Sequence, residues 1–276
     1  MVIKSVTTVY FSPTGTTKKI IKAVVKGLGV SDNTIDLTSP QVRESGPQVI
    51  AGDMAVIGVP VYSMGVPEIL GASLKSLKGQ GKPVLLIAVY GNVTEGATIS
   101  ELYDIAVKAG FHVVGAASFI GEHSFAAESA PLAKDRPNAK DLEVAEAFGK
   151  EIFVKLREAR ELSRISWAGF QGEIRMFFKI ARYVRKIYPI NSGKVFTKTP
   201  LAVAERCNQC GRCARLCPTG AIDGDTLAIR NKQCIRCFSC VKHCPQKARA
   251  IVYRPKILVE KYLNRKCGIY KEAQIY

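Results

Sequence analysis

Two cysteine segments decide how the second half of this 276-residue chain folds: CNQCGRCARLCP at residues 207–218 and CIRCFSCVKHCP at residues 234–245. Both read C-x2-C-x2-C-x3-C-P, and the second begins 27 residues after the first. The two-residue spacing lets three thiolates converge on one face of a cubic iron–sulfur cluster. Zinc sites normally pair two C-x2-C motifs and need neither a third cysteine nor a trailing Cys-Pro. The repeat therefore favours iron–sulfur clusters over zinc.

The spacing resembles that of bacterial two-cluster ferredoxins over roughly residues 200–255, and the CPTGAI at the end of the first repeat is typical of them. In those proteins the fourth cysteine of each repeat binds the other cluster. The resemblance implies two [4Fe–4S] clusters with crossed ligand sets. Cluster I would be held by Cys207, Cys210, Cys213 and Cys244, and cluster II by Cys234, Cys237, Cys240 and Cys217.

Charge and cysteine are both concentrated in the second half of the chain. The formal net charge is +17, but residues 1–150 carry 14 basic and 14 acidic side chains, whereas residues 151–276 carry 26 and 9. All nine cysteines lie between Cys207 and Cys267. Such asymmetry indicates two functional parts. The ninth cysteine, Cys267, has no partner at ligand spacing and is interpreted as a free thiol.

The cellular setting follows from what the sequence lacks. No apolar run approaches the roughly 20 residues of a membrane-spanning helix, and the first residues, MVIKSVTTVYFSPTG, lack the cleavage site of a signal peptide. We therefore expect a soluble cytoplasmic protein. In that compartment metal binding explains the cysteines better than disulfides do.

The first half of the chain alternates strand and helix patterns. Short Val/Ile-rich strand candidates, apolar on both faces, lie at residues 3–11, 33–38, 54–62, 84–90 and 111–120. Helical patterns lie at residues 16–27, 67–78, 94–110 and 138–162. This alternation predicts a doubly wound α/β fold with a five-stranded parallel sheet. We assign residues 1–162 to it and residues 200–255 to a small α+β cluster-binding domain.

The stretch FSPTGTT, residues 11–17, joins the first strand to the first helix. Taken alone, it is either a plain turn or a phosphate cradle. As a cradle, it offers hydroxyl groups from Ser12, Thr14, Thr16 and Thr17, while Gly15 lets the backbone wrap closely. The following helix would direct the positive end of its dipole at the site. An electron-carrying partner domain favours the cradle, because a redox flavin needs such a site.

SPTGTT is similar to the [ST]-x-T-G-x-T phosphate loop of flavodoxins, which implies FMN as the ligand. In that family the two loops that hold the isoalloxazine ring follow the third and fourth strands. The resemblance places them at PVYSMGVPE, residues 60–68, and YGNVTEGA, residues 90–97. It implies the site residues Pro60, Tyr62, Ser63, Met64, Gly65, Tyr90, Gly91 and Asn92.

Individual roles follow from this resemblance. Tyr62 would stack on the ring, and the backbone amides of Gly91 and Asn92 would meet its polar edge. Tyr90 either flanks the ring or is the last core residue of its strand. No G-x-G-x-x-G motif follows the first strand, so a Rossmann dinucleotide site is not expected. The whole chain resembles the flavodoxin–ferredoxin fusion proteins of anaerobic bacteria and archaea.

Residues 163–199 are predicted to form a basic amphipathic helix, ending at Pro189, and a linker. Its apolar stripe is Trp167, Phe170, Ile174, Phe177, Ala181, Val184 and Tyr188, and its basic stripe is Arg175, Lys179, Arg182 and Lys186. The helix either packs between the domains or lies on an anionic membrane surface. Residues 256–276 are interpreted as a basic C-terminal extension.

Three functions fit these features. The first is an electron-transfer protein that relays electrons between FMN, two clusters and external partners. The second is a flavin-dependent oxidoreductase acting on a small substrate, for which Glu122 and His123 are the suggestive acid–base pair. The third is a regulatory or binding module whose flavodoxin-like domain is empty. The basic surplus favours an acidic redox protein, such as a ferredoxin or flavodoxin, over nucleic acid as the partner.

Overall fold

The computed structural model describes residues 2–159, 161–162, 165, 173–187 and 192–276, with the backbone alone at residues 173–178 and 187. The central sheet contains five parallel strands, which are β1 (Ser5–Tyr10), β2 (Ser31–Asp36), β3 (Met54–Pro60), β4 (Pro83–Tyr90) and β5 (His112–Ile120). Their order in space is β2-β1-β3-β4-β5. This is the flavodoxin-like doubly wound order, so the predicted fold class is confirmed.

Helices cover both faces of the sheet. The longer ones of the first domain are α1 (Thr16–Leu28), α4 (Thr98–Lys108) and α5 (Ala139–Glu158), and the shorter ones are α2 (Pro40–Glu44) and α3 (Gly71–Lys75). Helices α1 and α5 pack in one apolar cluster, and α3 and α4 in the other. Two glycines let α1 and α5 approach closely. A Cβ on Gly27 would lie 2.0 Å from the carbonyl oxygen of Glu146, and one on Gly149 would lie 2.1 Å from that of Val24.

The strand register aligns the loops that the sequence assigns to cofactor binding. Tyr10 of β1 lies beside Gly58 of β3, and Pro60 of β3 lies beside Val89 of β4. Because the strands are parallel, the loops after β1, β3 and β4 emerge at one edge of the sheet, near the point where the strand order reverses. Ligands of open α/β sheets bind at this position.

The C-terminal extension returns to the first domain, which the sequence does not predict. Helix α10 (Lys256–Cys267) is followed by a two-residue strand, β6 (Gln274–Ile275), that pairs antiparallel with β5. The five predicted parallel strands are thus all present, and β6 adds a short antiparallel sixth strand at the edge of the sheet. A two-residue strand has too little pattern to be recognised in a sequence, since tertiary contacts alone stabilise it.

The cysteine repeat is also a structural repeat. Helices α8 (Arg212–Arg215) and α9 (Ser239–Lys242) occupy matching places in the two halves. Left-handed backbone recurs at the same offset, in the pairs Gln209 and Arg236, Gly211 and Phe238, and Gly220 and Lys247. In both halves a backbone amide donates to the last cysteine, from Ala221 to Cys217 Sγ and from Ala248 to Cys244 Sγ, each at 3.3 Å.

Helix α6 (Glu173–Ile187) lies against the first domain. Arg182 forms an ion pair with Asp104 of α4, and Arg185 Nε lies 3.6 Å from Glu101 Oε1 of the same helix. The predicted basic stripe is therefore partly engaged, although Lys179 and Lys186 remain exposed.

Much of the predicted amphipathic stripe lies outside the described residues. This applies to Trp167, Phe170 and Tyr188, to Pro189 and to the side chains of Ile174, Arg175 and Phe177. Part of the predicted linker is a short helix, α7 (Ser192–Phe196). Among the described helices, none is long and apolar enough to cross a membrane.

Candidate functional site

The FSPTGTT stretch forms the junction between β1 and α1, with Gly15 in left-handed conformation (φ 86°) at the start of the helix. The Ser12 Oγ accepts a hydrogen bond from the Lys18 amide at 3.0 Å, which leaves the Ser12 hydroxyl proton free to donate elsewhere. Thr17 is buried, and its Oγ1 has no hydrogen-bond partner among the described residues. A buried hydroxyl without a partner is costly. The loop thus offers donors for which the described chain supplies no acceptor.

A cavity of about 1200 Å³ opens at this edge of the sheet. Eight of the thirteen residues predicted to bind flavin line it, and these are Thr14, Thr16, Pro60, Tyr62, Ser63, Met64, Tyr90 and Gly91. The other five, Ser12, Gly15, Thr17, Gly65 and Asn92, lie beside or beneath the lining. Gly65, for example, is buried below Arg185, whose Nε would lie 2.3 Å from a Cβ placed on the glycine.

Asn92 has a structural role that the sequence does not reveal. Its backbone is left-handed (φ 60°), and its buried side chain donates to the carbonyl oxygen of Ile269 at 2.6 Å. It thereby holds the segment that follows α10 against the loop after β4.

Tyr62 lies between the cavity and the cysteine-rich domain. Its ring meets that of Phe11 edge-on, with the centroids 6.3 Å apart. Burial raises the pKa of Tyr62 well above its usual value, and the nearby Cys237 raises it further. The side chain predicted to stack on a flavin therefore also neighbours a predicted ligand of cluster II.

Tyr90 is the last residue of β4 and is buried, as a core residue at the end of its strand would be, and it also lines the cavity. Burial, with a smaller contribution from Glu95, raises the pKa of Tyr90 to about 12. Its phenol is therefore neutral at physiological pH.

Later segments of the chain close the cavity from the opposite side. They contribute residues of α7, of the second cysteine repeat and of α10, which are Ser192, Gly193, Lys194, Phe196, Lys232, Gln233, Ile235, Arg236, Leu258, Val259, Tyr262 and Leu263. Ser63 Oγ and Ser192 Oγ lie 2.9 Å apart across this junction. Sequence reasoning missed these residues because none of them carries a motif for flavin.

His123 packs on the loop after β4. A Cβ on Gly91 would lie 2.3 Å from His123 Cδ2, so only glycine fits there without movement. The Phe125 amide donates to His123 Nδ1 at 3.0 Å, so the proton of the neutral ring is on Nε2. Burial, with a smaller contribution from Lys242, lowers the pKa of His123 to about 4. The ring is therefore neutral at physiological pH.

Glu122 does not form an acid–base pair with His123. Its carboxylate forms an ion pair with Lys242 of α9. In the sequence, Lys242 lies between the cluster cysteines Cys240 and Cys244. The pair instead links the flavodoxin-like domain to the cysteine-rich domain.

A small cavity gathers the cysteines predicted to hold cluster II. Cys217, Cys234, Cys237 and Cys240 all line it, although Cys217 belongs to the first repeat. Burial raises the pKa of Cys237, and it raises that of Cys240 to about 12. Cys237 and Cys240 are buried and Cys217 and Cys234 half-buried, and a bound metal stabilises thiolates in such surroundings, so four cysteines around one cavity fit a cluster. Within the described residues, no three metal-ligating side chains surround a position for a single metal ion.

The cysteines predicted to hold cluster I face the solvent more openly. Cys210 is exposed, while Cys207, Cys213 and Cys244 are half-buried. Three arginines near them, Arg206, Arg212 and Arg215, are exposed, and Arg215 Nη1 donates to the Cys210 carbonyl oxygen at 3.0 Å. Cys267 lies apart from both sets, and its Sγ donates to the carbonyl oxygen of Leu263 in α10 at 3.4 Å.

The two cavities share a wall. Thr219, Ile235 and Arg236 line both the large cavity and the small one. The space at the edge of the sheet is therefore separated from the cluster II cysteines by a single layer of residues.

Comparison with known proteins supports the division of the chain. A family model described as a 4Fe-4S dicluster domain matches residues 199–245. The chain joins a flavodoxin-like domain to a 4Fe-4S dicluster domain. The eight cysteines of its repeat match the ligand requirement of two [4Fe–4S] clusters.

The dicluster domain is similar to parts of two curated proteins. It is 39% identical over 61 residues to the electron transport protein HydN of Escherichia coli, and the matched stretch covers 21% of this chain and 35% of HydN. It is 41% identical over 51 residues to an uncharacterised polyferredoxin-like protein of Methanocaldococcus jannaschii, and this match covers 18% of this chain and 22% of the relative. The chain thus spans about a third or less of the length of these relatives.

Solved structures align with the first domain. An archaeal flavodoxin matches with 17% identity and a TM-score of 0.39, covering 56% of this chain and 99% of that one. The rubredoxin oxygen:oxidoreductase of Desulfovibrio gigas matches with 16% identity and a TM-score of 0.41, covering 55% and 36%. The flavodoxin-like assignment rests on the strand order, not on these matches.

Proposed function

We propose that this chain is an electron-transfer protein that binds FMN in the large cavity and relays electrons between the flavin, cluster II and cluster I. The observation that carries the proposal is the wall of Thr219, Ile235 and Arg236 that the two cavities share. Two redox groups separated by one layer of side chains are close enough to exchange electrons directly. The name of the Escherichia coli relative, an electron transport protein, supports the same proposal.

The residues of the phosphate loop fit a flavin phosphate. Buried Thr17 and half-exposed Thr14 and Thr16 offer hydroxyl donors, and Gly15 adopts the left-handed conformation that opens the start of α1. A helix N-terminus with free amides favours a dianion. In this proposal, Ser12 and these four residues hold the phosphate.

The ring would lie between the loops after β3 and β4, held by Pro60, Tyr62, Ser63, Met64, Gly65, Tyr90, Gly91 and Asn92. When bound, FMN supplies a carrier that takes up two electrons and passes them on singly. The chain's own contribution is positional. Tyr62 and His123 flank the space, and the dicluster domain with α10 covers it from solvent.

We propose further that cluster I is the exchange point for an external partner, and that this partner is an acidic redox protein such as a ferredoxin or flavodoxin. Cys210 is exposed beside Arg206, Arg212 and Arg215. Complementary charge accelerates the encounter of redox proteins. We prefer this docking site to the basic stripe on α6, because two arginines of that helix, Arg182 and Arg185, already pair with acidic side chains of α4.

A flavin-dependent oxidoreductase is the second candidate. The cavity of about 1200 Å³ exceeds the 300–1000 Å³ of typical ligand pockets, which leaves space for a small substrate beside the flavin. Turnover of a small molecule without a protein partner would favour this function over a relay.

Anaerobic purification with cofactor analysis tests the proposal. We expect about eight iron and eight sulfide per chain, as two [4Fe–4S] clusters require, together with one FMN. Photoreduction of the flavin followed by stopped-flow absorbance should show electron transfer to the clusters at a rate independent of protein concentration. A protein with both clusters and no flavin, or a transfer rate that rises with protein concentration, would contradict the proposed relay.

A further inference from the structure

Three arginines lie close to the cysteines of cluster II. Arg43 of α2 reaches across from the flavodoxin-like domain and donates to the carbonyl oxygen of Pro218, directly after Cys217. Arg236 lies between Cys234 and Cys237 and lines the cysteine cavity. Arg249 is 5% exposed and donates to the carbonyl oxygen of Pro200, another residue of that cavity's lining, at 2.8 Å.

Arg236 is the most unusual of the three. Its residue is 5% exposed, and only its Nη2 reaches an acceptor among the described residues, the side-chain oxygen of Asn231. Its Nε and Nη1 are buried without a partner in the described part of the chain. A buried cation that lacks a partner is strongly unfavourable. Negative charge from a group bound next to it would remove that penalty.

The sequence repeat provides an internal comparison. At the offset of 27 residues, the positions of Arg236 and Arg249 correspond to Gln209 and Ile222 of the first repeat, both uncharged. Arg43 comes from another domain and contacts Pro218, the residue after Cys217, which is a predicted ligand of cluster II. The arginines near cluster I are exposed to solvent, where water and salt screen their charge.

Burial and fixed charge act in opposite directions on a cluster. Adding an electron to an anionic cluster is unfavourable in a low dielectric. The burial of Cys237 and Cys240, taken by itself, therefore lowers the reduction potential of cluster II. The same low dielectric strengthens the attraction of neighbouring cations. Lys242, another cation that follows Cys240 in α9, is neutralised by Glu122. Three arginines against one buried cluster therefore favour the reduced state.

We propose that Arg43, Arg236 and Arg249 raise the reduction potential of cluster II above that of cluster I. This inference rests on the proposed function. An electron that a reduced one-electron carrier gives to cluster I would pass to cluster II, which would be reduced as cluster I is reoxidised. By stabilising the reduced state next to the large cavity, the three arginines would direct electron flow inward.

A redox titration followed by electron paramagnetic resonance tests the proposal on the complete anaerobic protein. The variants Cys210→Ser and Cys237→Ser, which each alter one predicted cluster, assign the two signals. In the parent we expect cluster II to have the higher potential. In Arg236→Met we expect the equilibrium constant for electron transfer between the clusters to shift at least tenfold toward reduced cluster I. For one electron, this corresponds to a change of about 59 mV in the difference between the two reduction potentials. Arg236→Lys should largely restore the parent value.

Controls separate this inference from the proposed function. Arg212→Gln removes an exposed cation and should leave the potential of cluster II unchanged. If Arg236→Met does not assemble its clusters, Arg43→Gln provides an independent test from outside the dicluster domain and should lower the same potential. A parent in which cluster I has the higher potential, or unchanged potentials in fully loaded variants, would overturn the inference. Failure to find eight iron or FMN would contradict the proposed function instead.

Discussion

Individual side chains at the edge of the sheet perform roles that depend on what surrounds them. Ser12 accepts a hydrogen bond from the Lys18 amide in the first turn of α1, while Thr17, five residues after Ser12, is buried with its hydroxyl unused among the described residues. Asn92 holds the C-terminal segment. Similar polar side chains at this edge therefore differ in how far contacts within the chain already use them, and of these three Thr17 is the one whose hydroxyl is still unused in the described part of the chain.

Thr17→Val should separate binding from folding. The substitution removes a buried hydroxyl that has no partner in the described chain, so the free energy of unfolding of the flavin-free protein should be unchanged or slightly higher. A charge-assisted hydrogen bond to phosphate is worth about 1.5–3 kcal/mol, so FMN affinity should fall about 10- to 100-fold. Fluorescence titration with FMN and thermal unfolding measure the two effects. An unaltered affinity would remove Thr17 from the phosphate site.

The depressed pKa of His123, about 4, predicts a contribution to the pH dependence of stability. The unfolded chain binds a proton near pH 6.5, and the folded protein does not until near pH 4. The stabilisation that comes from this difference in pKa is therefore complete above pH 6.5. As pH falls below 6.5, the free energy of unfolding decreases by no more than about 1.4 kcal/mol per pH unit.

Thermal unfolding of parent and His123→Gln between pH 7 and pH 5 checks this. The parent should lose more stability on acidification than the variant, because glutamine does not titrate. Parallel curves would mean that the folded protein protonates His123 as readily as the unfolded chain does.

At the scale of elements, the C-terminal segment and the cysteine repeat each join parts of the chain that are distant in sequence. Helix α10 covers the cavity, and β6 pairs with the edge strand β5. In the repeat, Cys217 lies with Cys234, Cys237 and Cys240 rather than with its own half. Both connections tie local segments into one structure.

Asn92→Ala should loosen the C-terminal segment. The substitution removes the donor to Ile269 and leaves a partly buried carbonyl without its partner, at a cost of about 1–3 kcal/mol in the free energy of unfolding. Asn264→Ala is a matched control, since that exposed side chain donates to the Ser129 carbonyl at 3.0 Å and should cost less. Amide exchange of residues 268–276 should accelerate in Asn92→Ala alone. Equal effects of the two variants on stability and amide exchange would contradict the proposed anchoring role of Asn92.

Cys217→Ser tests the crossed ligand sets. Because Cys217 lines the cavity of the second repeat's cysteines, the variant should lose or alter cluster II and keep cluster I. Iron analysis and electron paramagnetic resonance distinguish these outcomes. Cys267→Ser should retain about eight iron, since two clusters need only the other eight cysteines. Damage to cluster I would show that each repeat binds its own cluster.

At the scale of the whole molecule, the two cysteine sets differ in their surroundings. The cluster II cysteines line a cavity that shares a wall with the large cavity, whereas the cluster I set includes the exposed Cys210. Residues 151–276 carry the surplus positive charge, and three exposed arginines of this segment, Arg206, Arg212 and Arg215, lie near the cluster I cysteines. A partner that approaches these cysteines meets basic charge and the more exposed cluster together.

Charge reversal should locate the docking surface. Arg212→Glu with Arg215→Glu should slow reduction of the protein by a reduced acidic ferredoxin at least tenfold at low salt, because electrostatic steering changes association rates by about 10- to 1000-fold. Lys179→Glu with Lys186→Glu on α6 is the matched control with the same change in net charge.

Stopped-flow absorbance at several salt concentrations measures both rates. Salt should slow the parent more than the arginine variant, since exposed charges are screened beyond about 10 Å at 0.1 M. A larger effect of the lysine variant would return the docking site to α6.

Periodic and motif-based features were accessible from the sequence because they depend on neighbouring residues. Apolar runs determined the five parallel strands, and cysteine spacing determined the dicluster repeat. Spacing likewise marked FSPTGTT as the junction of β1 and α1. Only the tertiary structure decided what lies opposite these motifs: β6 on the sheet edge, α10 over the cavity, Arg43 beside Cys217 and Arg236 in the shared wall. These contacts join residues far apart in the chain, and they form because whole domains bury surface against each other, which no local pattern encodes.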